Sequence, residues 1–163
     1  YLNVFVHLAW CDKGNLSFDV LLPERQPRLR SFIEFTGDEA QFETAANWQA
    51  GNAANASVEL ATWFASLEAA RTTLEQTLTQ RRSTWTLYHA GVATGLCGDA
   101  GSASVLLDEV LASEWARDKA LGVNAAELRP LVSDPVAFRA GVSAVVRRQR
   151  ALLKLQEWEG EIF

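Results

Sequence analysis

Residues able to support nucleophilic or metal chemistry are few in this chain: two histidines and two cysteines, His7, His89, Cys11 and Cys97. On a strand, His7 and Cys11 would share a face but lie about 13 Å apart, too far to bind one metal ion. On a helix, His89 and Cys97 would be two turns apart, which is also too long a span. The spacing therefore predicts no metal site.

Cys97 lies one residue before Gly98, where a predicted helix ends. The negative end of a helix dipole raises the pKa of a nearby thiol and so disfavours the thiolate. The two cysteines are far apart in 163 residues, which is not the pattern of a disulfide scaffold. The sequence also contains no phosphate-binding loop and no dinucleotide fingerprint. We therefore predict no catalytic residue and no cofactor.

A basic cluster near the carboxyl end is one candidate interaction surface. Arg147, Arg150 and Lys154 share one side of a predicted helix and could contact an acidic partner. The alternative is that they pair with Glu68 and Glu75 of an earlier helix, which would make the cluster structural.

Two of the six tryptophans are the other interaction candidates. Most tryptophans are expected in the core, because aromatic side chains dominate burial. Trp48 and Trp158, however, adjoin polar segments. An exposed tryptophan is a common anchor in protein interfaces, so we predict a partner surface at either residue.

Composition limits the class of protein. Hydrophobic residues make up 48% and charged residues 21%, with a net charge of −5, as in an ordinary globular domain. Nucleic-acid binding requires a concentrated basic face, and a membrane helix requires a long apolar run; we predict neither. The cysteine usage favours a reduced, cytoplasmic location.

Apolar residues alternate near the amino end. The alternation over residues 2–10, the turn residues at 12–15 and the second alternating run at 16–22 predict a β-hairpin. The pattern resumes over residues 28–35 and predicts a third strand. A small sheet of this kind is stable only when it packs on other elements.

The helical segments begin after this sheet. Residues 36–39 have the form of a capping box and favour a short helix carrying Phe42 and Trp48 and ending near Gly51; an irregular or strand-like segment is the alternative. Residues 52–55 then form a polar break. Apolar residues recur at helical spacing afterwards. The predicted starts of four later helices are Ser66, Ser83, Ser102 and Asp134.

Two of these later helices have distinctive faces. The helix that starts at Ser83 carries small residues that permit close approach of a neighbouring helix: Ala90, Gly91, Ala93 and Gly95. The helix that starts at Ser102 is predicted to face inward through Val105, Leu106, Val110 and Leu111, with Trp115 extending that face. The last helix, which starts at Asp134, is predicted to run to Trp158.

Residues 87–111 resemble one helix-turn-helix unit of the tetratricopeptide type. The matching positions are the small residue of the first helix, the turn, and the small and large positions of the second helix: Gly91, Gly98-Asp99, Ala103 and Leu107. No second copy follows at the expected period, and an ordinary antiparallel helix pair is the alternative.

A broader pattern covers most of the chain. The front hairpin, the helix through residues 60–67 and the helical hairpin at Gly98-Asp99 are together similar to a bacterial type of domain of unknown function. Such domains have an antiparallel sheet followed by helices, and some members resemble toxin-immunity proteins. The resemblance implies binding to another protein and supplies no catalytic residue.

The sequence thus predicts a single α+β domain over residues 1–163. Residues 1–36 would form a small antiparallel sheet of about three strands, packed on four to six helices in residues 37–163. The leading hypothesis is a non-enzymatic domain that binds a protein partner or itself. The alternative is a small-molecule enzyme or ligand sensor with a pocket between sheet and helices, where His7, Cys11, His89 and Cys97 would converge.

Overall fold

The computed structural model describes residues 37–117, 119–156 and 160, except the side chain of Gln49, together with the backbone of residues 5–6 and 20–21. In this part of the chain the α-helices are α1 (Glu39–Trp63), α2 (Leu67–Gln80), α3 (Thr84–Leu96), α4 (Ala100–Ala112), α5 (Ala120–Leu128) and α6 (Pro135–Leu152). Short 3-10 turns, Glu114–Ala116 and Arg129–Leu131, precede and follow α5. Two short strands, β1 (Phe5–Val6) and β2 (Val20–Leu21), pair antiparallel.

The predicted α+β class is wrong, because the described part of the chain is a helical bundle. The helices bury their apolar side chains against one another, so the core does not depend on a sheet layer. β1 and β2 have two residues each, with Phe5 opposite Leu21, and they are too short to form such a layer. The remainder of the predicted hairpin and the whole predicted third strand lie outside the described residues.

Helix α3 is the centre of the bundle. Every residue from 86 to 96 is buried, and neighbouring helices α2, α4, α5 and α6 pack around it. A helix that is apolar on all sides is stable only in such a position. The largest fully buried side chains of α3 are Tyr88, His89, Val92 and Leu96.

Glycines allow the neighbouring helices to approach α3 closely, as the sequence predicts. A Cβ at Gly91 would lie 3.2 Å from the Leu107 side chain of α4. A Cβ at Gly95 would lie only 2.5 Å from the Phe138 ring of α6. Larger residues at these positions would force the helices apart.

Three predicted helix starts are confirmed. Ser66 caps α2, and Ser83 caps α3 through a reciprocal capping box in which Thr86 Oγ1 accepts the Ser83 backbone N–H at 2.8 Å. Asp134 accepts two backbone N–H groups at the start of α6, with Pro135 in the first helical position. These caps satisfy backbone donors that a helix leaves without internal partners.

Other predicted boundaries are wrong. Helix α1 begins after Asp38, whose carboxylate accepts the Gln41 backbone N–H, and it continues through residues 52–55 to Trp63. The alanines of α1 have the highest helix propensity and outweigh the asparagines between them. Helix α4 begins after Asp99, not at Ser102, because the Asp99 side chain accepts the Ser102 backbone N–H.

Two further predictions concern the carboxyl end of α6 and the absence of a membrane helix. Helix α6 stops at Leu152, short of the predicted Trp158, which lies outside the described residues. Among the described helices, none combines the length and apolarity that crossing a bilayer would need.

Candidate interaction site

The described surface contains an apolar groove beside the end of α4. We call it the α4–α5 groove; its volume is about 520 Å³ and it is open to solvent. Helix α4, the 3-10 turn Glu114–Ala116, the turn that follows it and helix α5 provide its walls. The lining residues are Val110, Leu111, Ala116, Arg117, Gly122, Val123, Ala126 and Glu127.

Local packing determines the shape of the groove. Val110 and Ala116 are fully buried and form its inner part, whereas Leu111 and Val123 are 41% and 52% exposed. The first turn of α5 packs so tightly on the 3-10 turn that a Cβ at Gly122 would overlap the Ala116 carbonyl oxygen. Glycine is therefore required where the two elements meet.

A tryptophan lies next to a lining residue in the sequence. Trp115 immediately precedes the lining residue Ala116 and is 52% exposed. Its indole makes an edge contact with Trp85 of α3, with ring centroids 6.2 Å apart, and Trp85 stacks on the buried His89 at 6.0 Å. An aromatic series thus connects this exposed side chain to the core.

The groove carries one charge of each sign. Arg117 and Glu127 are both exposed, and they are the charged members of the lining. The Arg148 guanidinium donates to Glu127 Oε2 at 2.7 Å and links α6 to α5. A partner surface would therefore meet an apolar centre with opposite charges beside it.

The sequence predicted a different orientation for α4. Its buried face consists of Ala103, Leu107 and Val110, whereas Val105 is 59% exposed, so the predicted inward position of Val105 is wrong. At about 100° per residue, Val105 lies roughly opposite Ala103, and Leu111 lies at the edge of the buried face. Ala103 and Leu107, the positions that match the tetratricopeptide pattern, predict this buried face better than the apolar set that begins at Val105.

The four predicted interaction residues that the structure describes lie elsewhere. Trp48 on α1 is 45% exposed, Arg147 and Lys154 are exposed, and Arg150 is half-buried with its guanidinium donating to the Gln156 carbonyl at 2.7 Å. Trp158 lies outside the described residues. None of the four described side chains lines the α4–α5 groove, and their role in binding stays a prediction.

The acids predicted as alternative partners of the basic cluster have other contacts. Glu75 accepts a hydrogen bond from Arg71 at 2.8 Å, and Arg71 also contacts Asp99 at 3.4 Å. Glu68 is hydrogen-bonded to the Cys97 thiol. These contacts tie α2 to the junction between α3 and α4.

The described histidine and cysteine do not form a catalytic pair. His89 is fully buried between Trp85 and Tyr88, and Cys97, two helical turns further on, caps α3 at its carboxyl end. Burial and the Glu68 hydrogen bond raise the pKa of Cys97 to about 11, which disfavours a nucleophilic thiolate; the direction is the one expected from the helix dipole, but the causes are different. His7 and Cys11 lie outside the described residues.

Metal ligands do not converge in the described ranges, where no group of three or more His, Cys, Asp or Glu residues could hold an ion.

No protein family, curated protein or solved structure matches the chain. The geometry of the groove is therefore the main indication of function.

Proposed function

We propose that the protein is an interaction domain whose α4–α5 groove binds a bulky apolar side chain of another protein surface. The observation that carries this proposal is the apolar groove that opens to solvent between α4 and α5; the half-exposed Trp115 precedes its lining residue Ala116 in sequence. Concave apolar surfaces are common binding sites, and tryptophan is among the residues enriched at the energetic anchors of protein interfaces.

The chemistry of the lining supports binding over catalysis. Six of the eight lining residues are apolar or glycine, and the other two are Arg117 and Glu127. Such a surface excludes water around an apolar anchor, while charges at an interface orient the partner. The proposal agrees with the protein-binding hypothesis drawn from the sequence, and it places the contact at residues that the sequence hypothesis did not select.

A peptide selection tests the proposal. A displayed library of amphipathic helical peptides is selected on the wild-type protein, and the dissociation constants of the enriched peptides are measured by titration calorimetry. We expect the enriched peptides to share an aromatic or leucine anchor. Leu111→Asp should weaken their binding at least about tenfold, because it introduces a charge beside the apolar centre.

The matched control is Val105→Asp, which adds the same charge to the exposed opposite side of α4. It should leave peptide affinity unchanged. Thermal melting of both variants checks that the bundle remains folded. If no peptide is enriched, or if the two variants weaken binding equally, the groove is not the binding site.

A further inference from the structure

We infer that the partner segment bound by the α4–α5 groove is acidic as well as apolar, with an Asp or Glu carboxylate beside its apolar anchor that forms an ion pair with Arg117. The inference rests on the proposed function and adds the charge of the partner to it. It follows from which charges of the lining are already matched by other described residues and which charge is not.

Glu127 is the acidic member of the lining, and its charge is matched within the chain. The Arg148 guanidinium donates to Glu127 Oε2 at 2.7 Å, and the two side chains are 44% and 48% exposed. A cation on a partner would have to compete with Arg148 for this carboxylate. Glu127 therefore does little to select a basic partner.

Arg117 is the basic member of the lining, and its charge is not matched in the same way. Its side chain is exposed, and none of the described carboxylates forms an ion pair with it. Glu114, three residues earlier, contacts Arg117 through the backbone, where the Glu114 carbonyl accepts the Arg117 N–H at 3.3 Å. Arg117 therefore carries the charge of the lining that a partner can match.

The guanidinium of Arg117 is suited to a carboxylate. Its planar pair of N–H donors can bind both carboxylate oxygens at once, which a lysine ammonium cannot do. The same chain shows this geometry between α4 and the 3-10 turn after α5, where Arg129 donates to the two oxygens of Asp108 at 2.7 and 2.8 Å. An acidic side chain of a partner can be held at Arg117 in the same way.

The backbone that carries Arg117 is fixed before a partner binds. The Ala116 carbonyl accepts the Lys119 N–H at 2.9 Å, and a Cβ at Gly122 would overlap that carbonyl oxygen. The Cα of Arg117 thus keeps its position relative to the apolar wall of the groove. An ordered backbone reduces the entropy that is lost on association.

The surroundings of Arg117 favour the same sign of partner. Gly122 and Val123 of the lining belong to the first turn of α5, whose N-cap residue Lys119 makes no side-chain cap hydrogen bond. The amino end of a helix carries partial positive charge, which adds to that of Arg117. The net charge of the whole chain is −5, but exposed charges more than about 10 Å away are largely screened at ordinary salt concentrations, so the nearby charges dominate.

Parallel selections on charge variants test the inference. The probe is a displayed library of amphipathic helical peptides in which the residues within one turn of the apolar anchor vary among acidic, basic and neutral types. On the wild-type protein we expect Asp or Glu to be enriched at one of these positions. On Arg117→Glu we expect Lys or Arg at the same position, because the sign of the charge to be matched is reversed.

The affinity of one selected acidic peptide gives the size of the effect. In titration calorimetry, Arg117→Glu should weaken its binding at least about tenfold, and Arg117→Gln should weaken it less. Replacing the peptide carboxylate with lysine should restore binding to Arg117→Glu and weaken binding to the wild type. This reciprocal recovery identifies a direct pair, because a variant that fails to fold would not regain binding.

The matched control is Arg147→Glu, which reverses the charge of an exposed arginine of α6 outside the lining. It should leave the selected sequences and the peptide affinity unchanged. Enrichment of basic residues on the wild type, or of no charge at all, overturns the inference, as do equal effects of Arg147→Glu and Arg117→Glu. Each of these results leaves the proposed function in place if an apolar anchor is still enriched and Leu111→Asp still weakens its binding, whereas the absence of any enriched peptide overturns both.

Discussion

Helices α3 and α1 differ strongly in how much of their surface is buried in this bundle. Helix α3 has 13 residues, and its last 11 are buried. Helix α1 has 25 residues, yet within the described part of the chain only Ala56 and Leu60 are buried, while Phe42, Trp48 and Val58 are exposed. The shorter helix is therefore the one that holds the bundle together.

The difference shows two ways of stabilising a helix. Packing of apolar residues on every side stabilises α3, so its structure depends on the surrounding helices. Helix α1 is rich in alanine and long enough to gain from helix propensity and its Asp38 cap. We therefore expect substitutions in α3 to affect the whole fold and substitutions in α1 to act locally.

Leu96→Ala should produce the largest effect. The side chain is 1% exposed at the end of α3, and its truncation should lower the free energy of unfolding by about 2–5 kcal/mol through lost burial and a cavity. Val58→Ala on α1 should change it by less than about 0.5 kcal/mol. Urea unfolding monitored by circular dichroism measures both. Similar losses would contradict the difference between the two helices.

Glycine-to-alanine substitutions should change the free energy of unfolding in opposite directions in the two helices. At Gly95 the new methyl group would overlap the Phe138 ring, so we expect destabilisation of about 1–3 kcal/mol. At Gly51 on α1 no atom outside the helix lies within 4 Å of the added Cβ, and higher helix propensity should stabilise by about 0.5–1 kcal/mol. Thermal and urea unfolding of both variants give the signs. Stabilisation by Gly95→Ala would show that α6 is free to move away from α3.

Removal of the helix caps should have a smaller effect. Ser83→Ala deletes the acceptor for the Thr86 backbone N–H. It should lower the free energy of global unfolding by about 0.5–2 kcal/mol. Asp38→Ala should mainly increase amide hydrogen exchange in the first turn of α1, with little change in the global transition. A large global loss from Asp38→Ala would indicate that α1 folds together with the core.

The caps were predictable from the sequence because they are local. Ser66, Ser83 and Asp134 each act on backbone groups within three residues, so short motifs identify them without knowledge of the fold. The small residues of α3 were also predictable, since close helix approach requires glycine or alanine. The end of α1 was not predictable in this way, because a few asparagines do not interrupt a helix that contains many alanines.

The fold class and the groove depend on tertiary packing, which local patterns describe poorly. Alternation near the amino end favoured a sheet, but helices between Glu39 and Leu152 bury their apolar faces against each other. For α4, the apolar run suggested that Val105 and Leu111 face inward. Its buried face is instead set by Ala103, Leu107 and Val110 against α3, which leaves Leu111 in the groove.

The smallest expected effect concerns Asp99, at the junction of α3 and α4. Hydrogen bonds from Ser102, together with the Arg71 guanidinium, hold the pKa of this carboxyl below its ordinary value. A lowered pKa in the folded state stabilises the fold above the unfolded-state pKa of about 4, and the contribution disappears as the pH falls through the folded-state value.

Asp99→Asn keeps a side-chain acceptor but cannot titrate. The difference in unfolding free energy between wild type and Asp99→Asn should therefore shrink as the pH falls from about 6 to about 2. Parallel pH profiles in urea unfolding would show that this carboxyl is not linked to the stability of the core, and the dependence of the bundle on the α3–α4 junction would then have to come from apolar packing alone.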